Sequence, residues 1–237
     1  MKHLGYLLIS LVSLVLFACA GVEPSMMDTA QTLGNGKSSV SSTLTLGIKA
    51  PAWMESETGQ DFDMDNMYPM QYWEVKYGLT DEVDLALRAG AEDEGYNAKF
   101  LVKKQLANLD PVSTAIVAGA SWGIYNYDFQ EFSENEDIKN FQISSAVMSM
   151  LLTRRLGKTN HITLAATGSY HYMKTTFYTD KEQGDNFYHA GLRLNFKKTM
   201  NPLYGMIELG FEAPLSQEDI KHVYPFVGLR AGWDFEL

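Results

Sequence analysis

Cysteine is almost absent: Cys19 is the only one in 237 residues. This excludes an internal disulfide and any metal centre built on several thiolates. Long hydrophobic runs are scarce too. Beyond the N-terminal segment, no stretch reaches the roughly 18 apolar residues of a spanning helix. Basic clusters are missing. The chain has 19 Lys and Arg against 29 Asp and Glu, a net charge of −10, and it lacks the grouped cations that hold nucleic-acid phosphates. Neither a metal nor a cofactor is expected. None of these absences excludes a protein that crosses a membrane with strands, because such strands show only alternating hydrophobicity.

The N-terminus carries an export signal. Lys2 and His3 precede an apolar run from Leu4 to Phe17, the charged start and hydrophobic core of a secretory signal. The run ends in Leu16-Phe17-Ala18-Cys19, which resembles the lipobox of bacterial lipoproteins. That resemblance implies cleavage before Cys19 and lipid on its sulfur. Ala20 in place of Asp after the cysteine implies sorting to the outer membrane. Ala18-Cys19-Ala20 also reads as an A-x-A site, with cleavage after Ala20 and no lipid. Either way the mature chain leaves the cytoplasm. Residues 1–18 are therefore expected to be a lipoprotein-type signal peptide. Residues 19–37, polar and without a period, are expected to be a flexible tether. Residues 38–237 are expected to form one domain.

Within that domain the period is two. Strand candidates lie near 39–50, 70–79, 83–91, 96–105, 113–125, 141–154, 161–172, 187–197, 203–213 and 224–237. The clearest is the third, where Val83, Leu85, Leu87 and Ala89 alternate with Asp84, Ala86, Arg88 and Gly90. The sixth leaves its faces open, with Ile143, Val147 and Leu151 on one parity and Ala146, Met148, Met150 and Leu152 on the other. Ten is an even number, as single-chain bacterial barrels require. Links near 51–67, 91–95, 126–140, 173–186 and 213–222 are long or charged, and those near 80–82, 106–112, 155–160 and 198–202 are short. In outer-membrane barrels long loops face outward and short turns face the periplasm, so both chain ends are expected in the periplasm and the acidic long loops outside.

A soluble barrel and a membrane barrel share this period and differ in which face is enclosed. The polar parity carries Glu74, Lys76, Asp84, Arg88, Lys99, Arg193, Glu208, Arg230 and Asp234. That is too much charge for a dry core, and the chain offers no helix or second sheet to cover the other face. Lipid outside and a charge-paired lumen resolve both difficulties, and in lipid the sheet must close. Aromatics on the apolar parity cluster near strand ends. Trp122, Phe141, Tyr170, Tyr172, Tyr188 and Phe211 mark one rim, and Tyr77, Phe196, Trp233 and Phe235 the other, as interfacial girdles do. The ending Trp233-Asp234-Phe235-Glu236-Leu237 resembles the closing strand of bacterial outer-membrane barrels, which implies recognition by the barrel-assembly machinery. The expected fold is thus an all-β, closed antiparallel up-and-down transmembrane barrel of about ten strands, with outer-membrane lipids and lipopolysaccharide as its surroundings.

Candidate chemistry is sparse. His171 and His189 flank the link 173–186, with Ser169 beside them on the same parity. A Ser/His pair with Glu208 or Glu212 would suit ester or peptide attack, although no hydrolase signature surrounds it. Asp61-x-Asp63-x-Asp65 suggests calcium, but Asn66 and Tyr72 stand where an EF-hand needs Gly and Glu, so a solvated acidic loop is expected. Three functions remain open. The first is a non-enzymatic narrow pore or surface or envelope protein. The second is an outer-membrane lipid- or peptide-hydrolysing enzyme using the rim histidines. The third is a soluble lipocalin-like lipoprotein carrying an apolar ligand.

Overall fold

A computed structural model describes residues 28–48, 67–92, 95–125, 138–177, 181–215 and 223–236. Cys19, Asp61, Asp63 and Asp65 lie outside the described residues. Ten strands follow in order: β1 (Lys37–Ile48), β2 (Met67–Gly78), β3 (Val83–Glu92), β4 (Gly95–Leu109), β5 (Val112–Tyr125), β6 (Ile138–Leu156), β7 (Asn160–Phe177), β8 (Glu182–Met200), β9 (Leu203–Pro214) and β10 (Tyr224–Glu236). Each pairs antiparallel with its sequence neighbour, and β1 pairs with β10 to close the barrel. The seam runs from Lys37↔Glu236 to Leu46↔Val227, so no strand edge is left open. Both ends of the barrel-forming chain lie at one mouth, with the turns 79–82, 110–111, 157–159 and 201–202. The opposite end is the distal rim.

The two parities face as their chemistry requires. On β3, Leu87 is 57% exposed and its neighbour Arg88 1%. Val40, Val75, Leu164, Leu194, Leu209 and Leu229 also point outward, forming an apolar belt far larger than a water-soluble monomer exposes. Trp122, Tyr170, Tyr172, Tyr188 and Phe211 face outward on the distal half, and Tyr77, Phe196, Trp233 and Phe235 near the mouth. Phe141 is placed on β6, with its side chain outside the described set. Inside, β1 contributes Ser39, Ser41, Thr43 and Thr45, all buried.

The faces of β6, open in the sequence, are decided by its hydroxyls. Ser145, Ser149 and Thr153 share a parity with Ile143, Val147 and Leu151, and that parity turns inward. Leu151 is fully buried and packs in one cluster with Ala115, Val117, Ala165, Leu101, Ala86 and Ala30. The lumen therefore has an apolar sector beside its ionic one.

Two expected links are shorter than the sequence suggests. The β3–β4 ladder continues to Glu92↔Gly95, and β7–β8 continues to Thr176↔Glu182. Charged residues there look like loop, but backbone pairing continues past them, and on β7 Met173 and Thr175 still turn inward and are buried. β6, β7 and β8 reach 19, 18 and 19 residues, well beyond the roughly 9–11 that cross a bilayer.

The tether expected over residues 19–37 is not free where it is described. Residues 28–36 enter the mouth and bind there. Asp28 pairs with Lys76 at 3.0 Å and Lys103 at 3.2 Å. Lys103 Nζ also donates to the Thr29 and Gln31 carbonyls. Ala30 N donates to Thr153 Oγ1 at 2.7 Å, Leu33 N to Asp84, and Asn35 N to Asp81. Gly36 N donates to the Gly78 carbonyl at 2.9 Å. Two glycines permit this. Gly34 takes φ +91°, which L side chains avoid, and a Cβ on Gly78 would overlap the Gly34 carbonyl oxygen. Polar backbone without a sheet partner needs such contacts once enclosed; Lys103 supplies the donor for the carbonyls, and Thr153 and Asp84 accept from the N–H groups.

Burial alone would raise the Asp28 carboxyl, but the Lys103 and then Lys76 ammonium groups more than offset this and hold it at about 2, below its ordinary 3.8. A depressed carboxyl stabilises docking above its free pKa and loses that contribution as pH falls through its bound value. Amide exchange at Ala30 and Leu33 is therefore expected to stay slow from neutral pH down to about 4 and to accelerate as pH approaches 2. Gly78→Val is expected to speed exchange at the same two amides at neutral pH while strand amides of β5–β8 keep their protection. Unchanged exchange in that variant would show that the close approach at Gly34 does not hold the segment.

Candidate functional site in the barrel interior

The interior ionic groups come from opposite sides of the sheet closure. Register places Glu74 on β2 directly across from Arg88 on β3, while Thr43 on β1 sits across from Arg230 on β10. Arg88 donates to Glu74 Oε2 through Nε at 2.9 Å and through a terminal nitrogen at 2.6 Å. Arg230 donates to Glu74 Oε1 at 2.7 Å and to Thr43 Oγ1 at 2.8 Å. Lys76 Nζ lies 3.2 Å from Glu74 Oε1. One carboxylate thus serves two guanidinium groups and an ammonium, all enclosed. Charge-assisted, two-pronged contacts of this kind are the strong class of hydrogen bond, and they are what make ionised groups tolerable away from water.

The remaining expected lumen charges distribute around this centre. Asp84 pairs with Lys103 at 2.9 Å and receives Leu33 N, on the mouth side. Lys99 is buried on β4, across from Arg88. Glu208 is fully buried on β9, opposite Asn195 and Gly228. Asp234 is half-buried at the mouth. Arg193 belongs to a second cluster, in the distal half.

That cluster holds the histidines. Rings of His171 on β7 and His189 on β8 lie 5.1 Å apart between centroids. His171 Nδ1 is 2.6 Å from Ser145 Oγ, and its Nε2 is 2.9 Å from Ser169 Oγ. Glu212 Oε2 is 3.9 Å from His189 Nδ1, while Glu212 Oε1 accepts from Arg193, which also donates to Thr167. Arg193 stacks over the Phe226 ring at 5.4 Å. Ser169, His171 and His189 are therefore brought together, as their sequence spacing suggests. Ser145 was not legible in the sequence. It faces His171 through the β6–β7 register, and β6 was the strand whose faces the pattern left open.

The geometry does not assemble a Ser–His–acid relay. Such a relay needs the carboxylate on the second nitrogen of the imidazole that activates the nucleophile. Here both nitrogens of His171 meet hydroxyls, and the available carboxylate belongs to Arg193 and faces the other histidine. Both rings are buried. The cluster ties the neighbouring strands β6, β7, β8 and β9 together along the inner wall. Among the described residues no group of three or more His, Cys, Asp or Glu could hold a metal ion.

No protein-family model matches the chain, and no curated protein matches it. Solved structures do. The outer membrane protease OmpT from Escherichia coli is similar at TM-score 0.50 and 9% identity, covering 90% of this chain and 100% of that one. The translocator domain of autotransporter NalP from Neisseria meningitidis is similar at TM-score 0.47 and 8% identity, covering 86% and 89%. An outer membrane channel from Pseudomonas putida F1 is similar at TM-score 0.42 and 10% identity, covering 90% and 100%. The chain has the fold of bacterial outer-membrane β-barrels. At these identities the likeness carries no residue roles from one protein to another.

Removing Glu74 strands two buried guanidinium groups. Glu74→Ala is expected to destabilise the barrel by about 3–5 kcal/mol, read as a lower midpoint of urea unfolding in detergent. A shift below about 1 kcal/mol would mean that water reaches Arg88 and Arg230 and that the network is wet.

Proposed function

We propose that the chain is a non-enzymatic outer-membrane barrel whose lumen is closed by its own side chains and N-terminal segment, and that it serves as a surface or envelope protein. The observation that carries this reading is the Glu74–Arg88–Arg230 centre, enclosed in the lumen with each guanidinium paired to the one carboxylate, and with residues 28–36 bound between it and the mouth. A conducting lumen needs mobile, hydrated charges along its axis, whereas these are locked to one another. An interior of paired charges and an exterior of Leu, Val and aromatics is also the reverse of a soluble carrier for apolar ligands.

In this reading the apolar belt meets lipid, the aromatic rims sit at the two interfaces, and the acidic distal links face lipopolysaccharide. The mouth faces the periplasm with both chain ends, and the closing strand β10 is the part presented to the barrel-assembly machinery. Cys19 carries the lipid. From Cys19 to Asp28 the extended chain spans at most about 30 Å, enough to run from the mouth to the inner leaflet while Asp28 stays docked.

Planar-bilayer recording tests this. The purified chain is expected to show no steady conductance at neutral pH, and stable open channels in the unmodified protein would overturn the closed-lumen reading. His171→Ala and His189→Ala are each expected to leave phospholipid, lipid A and peptide turnover unchanged in cells. A profile altered in both would replace this reading with the enzymatic one.

A further inference from the structure

At the mouth, the docked segment leaves a cavity of about 560 Å³ between itself and β7–β10, a volume in the range of small-molecule sites. Its charges are unevenly matched. Asp28 is committed to Lys76 and Lys103, and Glu236 faces Lys37 at 3.9 Å. Lys197 on β8 and Asp234 on β10 also line the cavity. They make no ion pair with each other, and neither side chain has a hydrogen bond among the described residues. Lys197 Nζ rests 4.2 Å from the centroid of the Tyr204 ring, which steadies the ammonium without using its three donors. Asp234 Oδ1 is enclosed without a hydrogen-bond partner. His161, across from Lys197 in the β7–β8 register, is 9% exposed, and its Nδ1 likewise has no partner.

A cation and an anion that share one cavity without touching leave a gap with a sign at each side. We propose that this pocket binds a small zwitterion, its carboxylate or phosphate against Lys197 and His161 and its ammonium against Asp234. A ligand with one charge would satisfy one wall and leave the other unmet. The Tyr204 ring and Met206 supply the apolar floor between the two walls, which suits a short carbon linker. Whether the lumen conducts does not bear on this pocket, because the cavity opens at the mouth and, of the Glu74 network, only Lys76 lines it.

The test is calorimetric titration of the full folded chain in detergent with two zwitterions. Alanyl-alanine represents a peptide end and O-phosphoethanolamine a lipid headgroup; acetate and ethylamine serve as single-charge controls. At least one zwitterion is expected to bind saturably and more tightly than either control, and the preferred one identifies the source. Lys197→Met and Asp234→Asn are each expected to weaken it by about tenfold or more. Lys197→Arg is expected to stay within about threefold of the unmodified chain, and Lys158→Met, in an exposed turn, to leave affinity unchanged. Heat-modifiable migration confirms that each variant is folded. If Lys197→Met fails to fold, the Asp234→Asn comparison decides alone. Absence of saturable binding by both zwitterions, or affinity unmoved by Asp234→Asn, would overturn the proposal.

Discussion

Ionised side chains on the concave face of a closed sheet must find partners there, and most of this barrel follows from that requirement. Glu74 meets Arg88 because β2 and β3 pair in one register, and it meets Arg230 because β1 places β10 at the right height. A slip of one residue at either seam would turn these charges toward the apolar exterior and bring Leu or Val rows inside. The ionic centre and the strand alternation therefore enforce the same register. Without the shared carboxylate, two guanidinium groups would be buried alone, a cost comparable to much of a domain's stability.

The N-terminal segment follows the same logic. Lys103 and Lys76 project inward near the mouth, where Asp84 pairs with Lys103, and Glu74 is shared between Lys76 and two arginines. Asp28 and the carbonyls of Thr29 and Gln31 complete their coordination. On the other wall, Ala30 fills space against Leu151 and Val117, the apolar sector to which ionic partners contribute nothing. One short stretch thus presents a charge to one half of the lumen and a methyl group to the other. What it leaves unoccupied is the mouth cavity, where Lys197 and Asp234 face each other across a gap.

The histidine cluster in the lumen is assembled incompletely for catalysis. Ser169, His171 and His189 stand close enough to suggest hydrolysis, yet the carboxylate that a relay requires is held by Arg193 and placed beside the wrong ring. Residue types alone pointed to chemistry; hydrogen-bond partners point to a structural tie across four strands. The nine expected lumen charges divide in a similar way. Four form one network, and the others serve the docked segment, the histidine cluster, the inner wall or the mouth.

The sequence by itself determined the strand period, the even count, the side of each sheet face that carries charge and the position of the aromatic rims. These are local properties, readable because successive residues on a strand alternate faces. Strand ends at the distal rim were not readable, since the charged and polar residues there interrupt the hydrophobic alternation that would mark them. Nor were the faces of β6, where Ile, Val and Leu share a parity with Ser and Thr. Only tertiary structure decided which charges meet, that Ser145 stands against His171, and that residues 28–36 are bound rather than free. Each of these depends on inter-strand register or on chain returning from far away in sequence, and no nearest-neighbour pattern encodes such contacts.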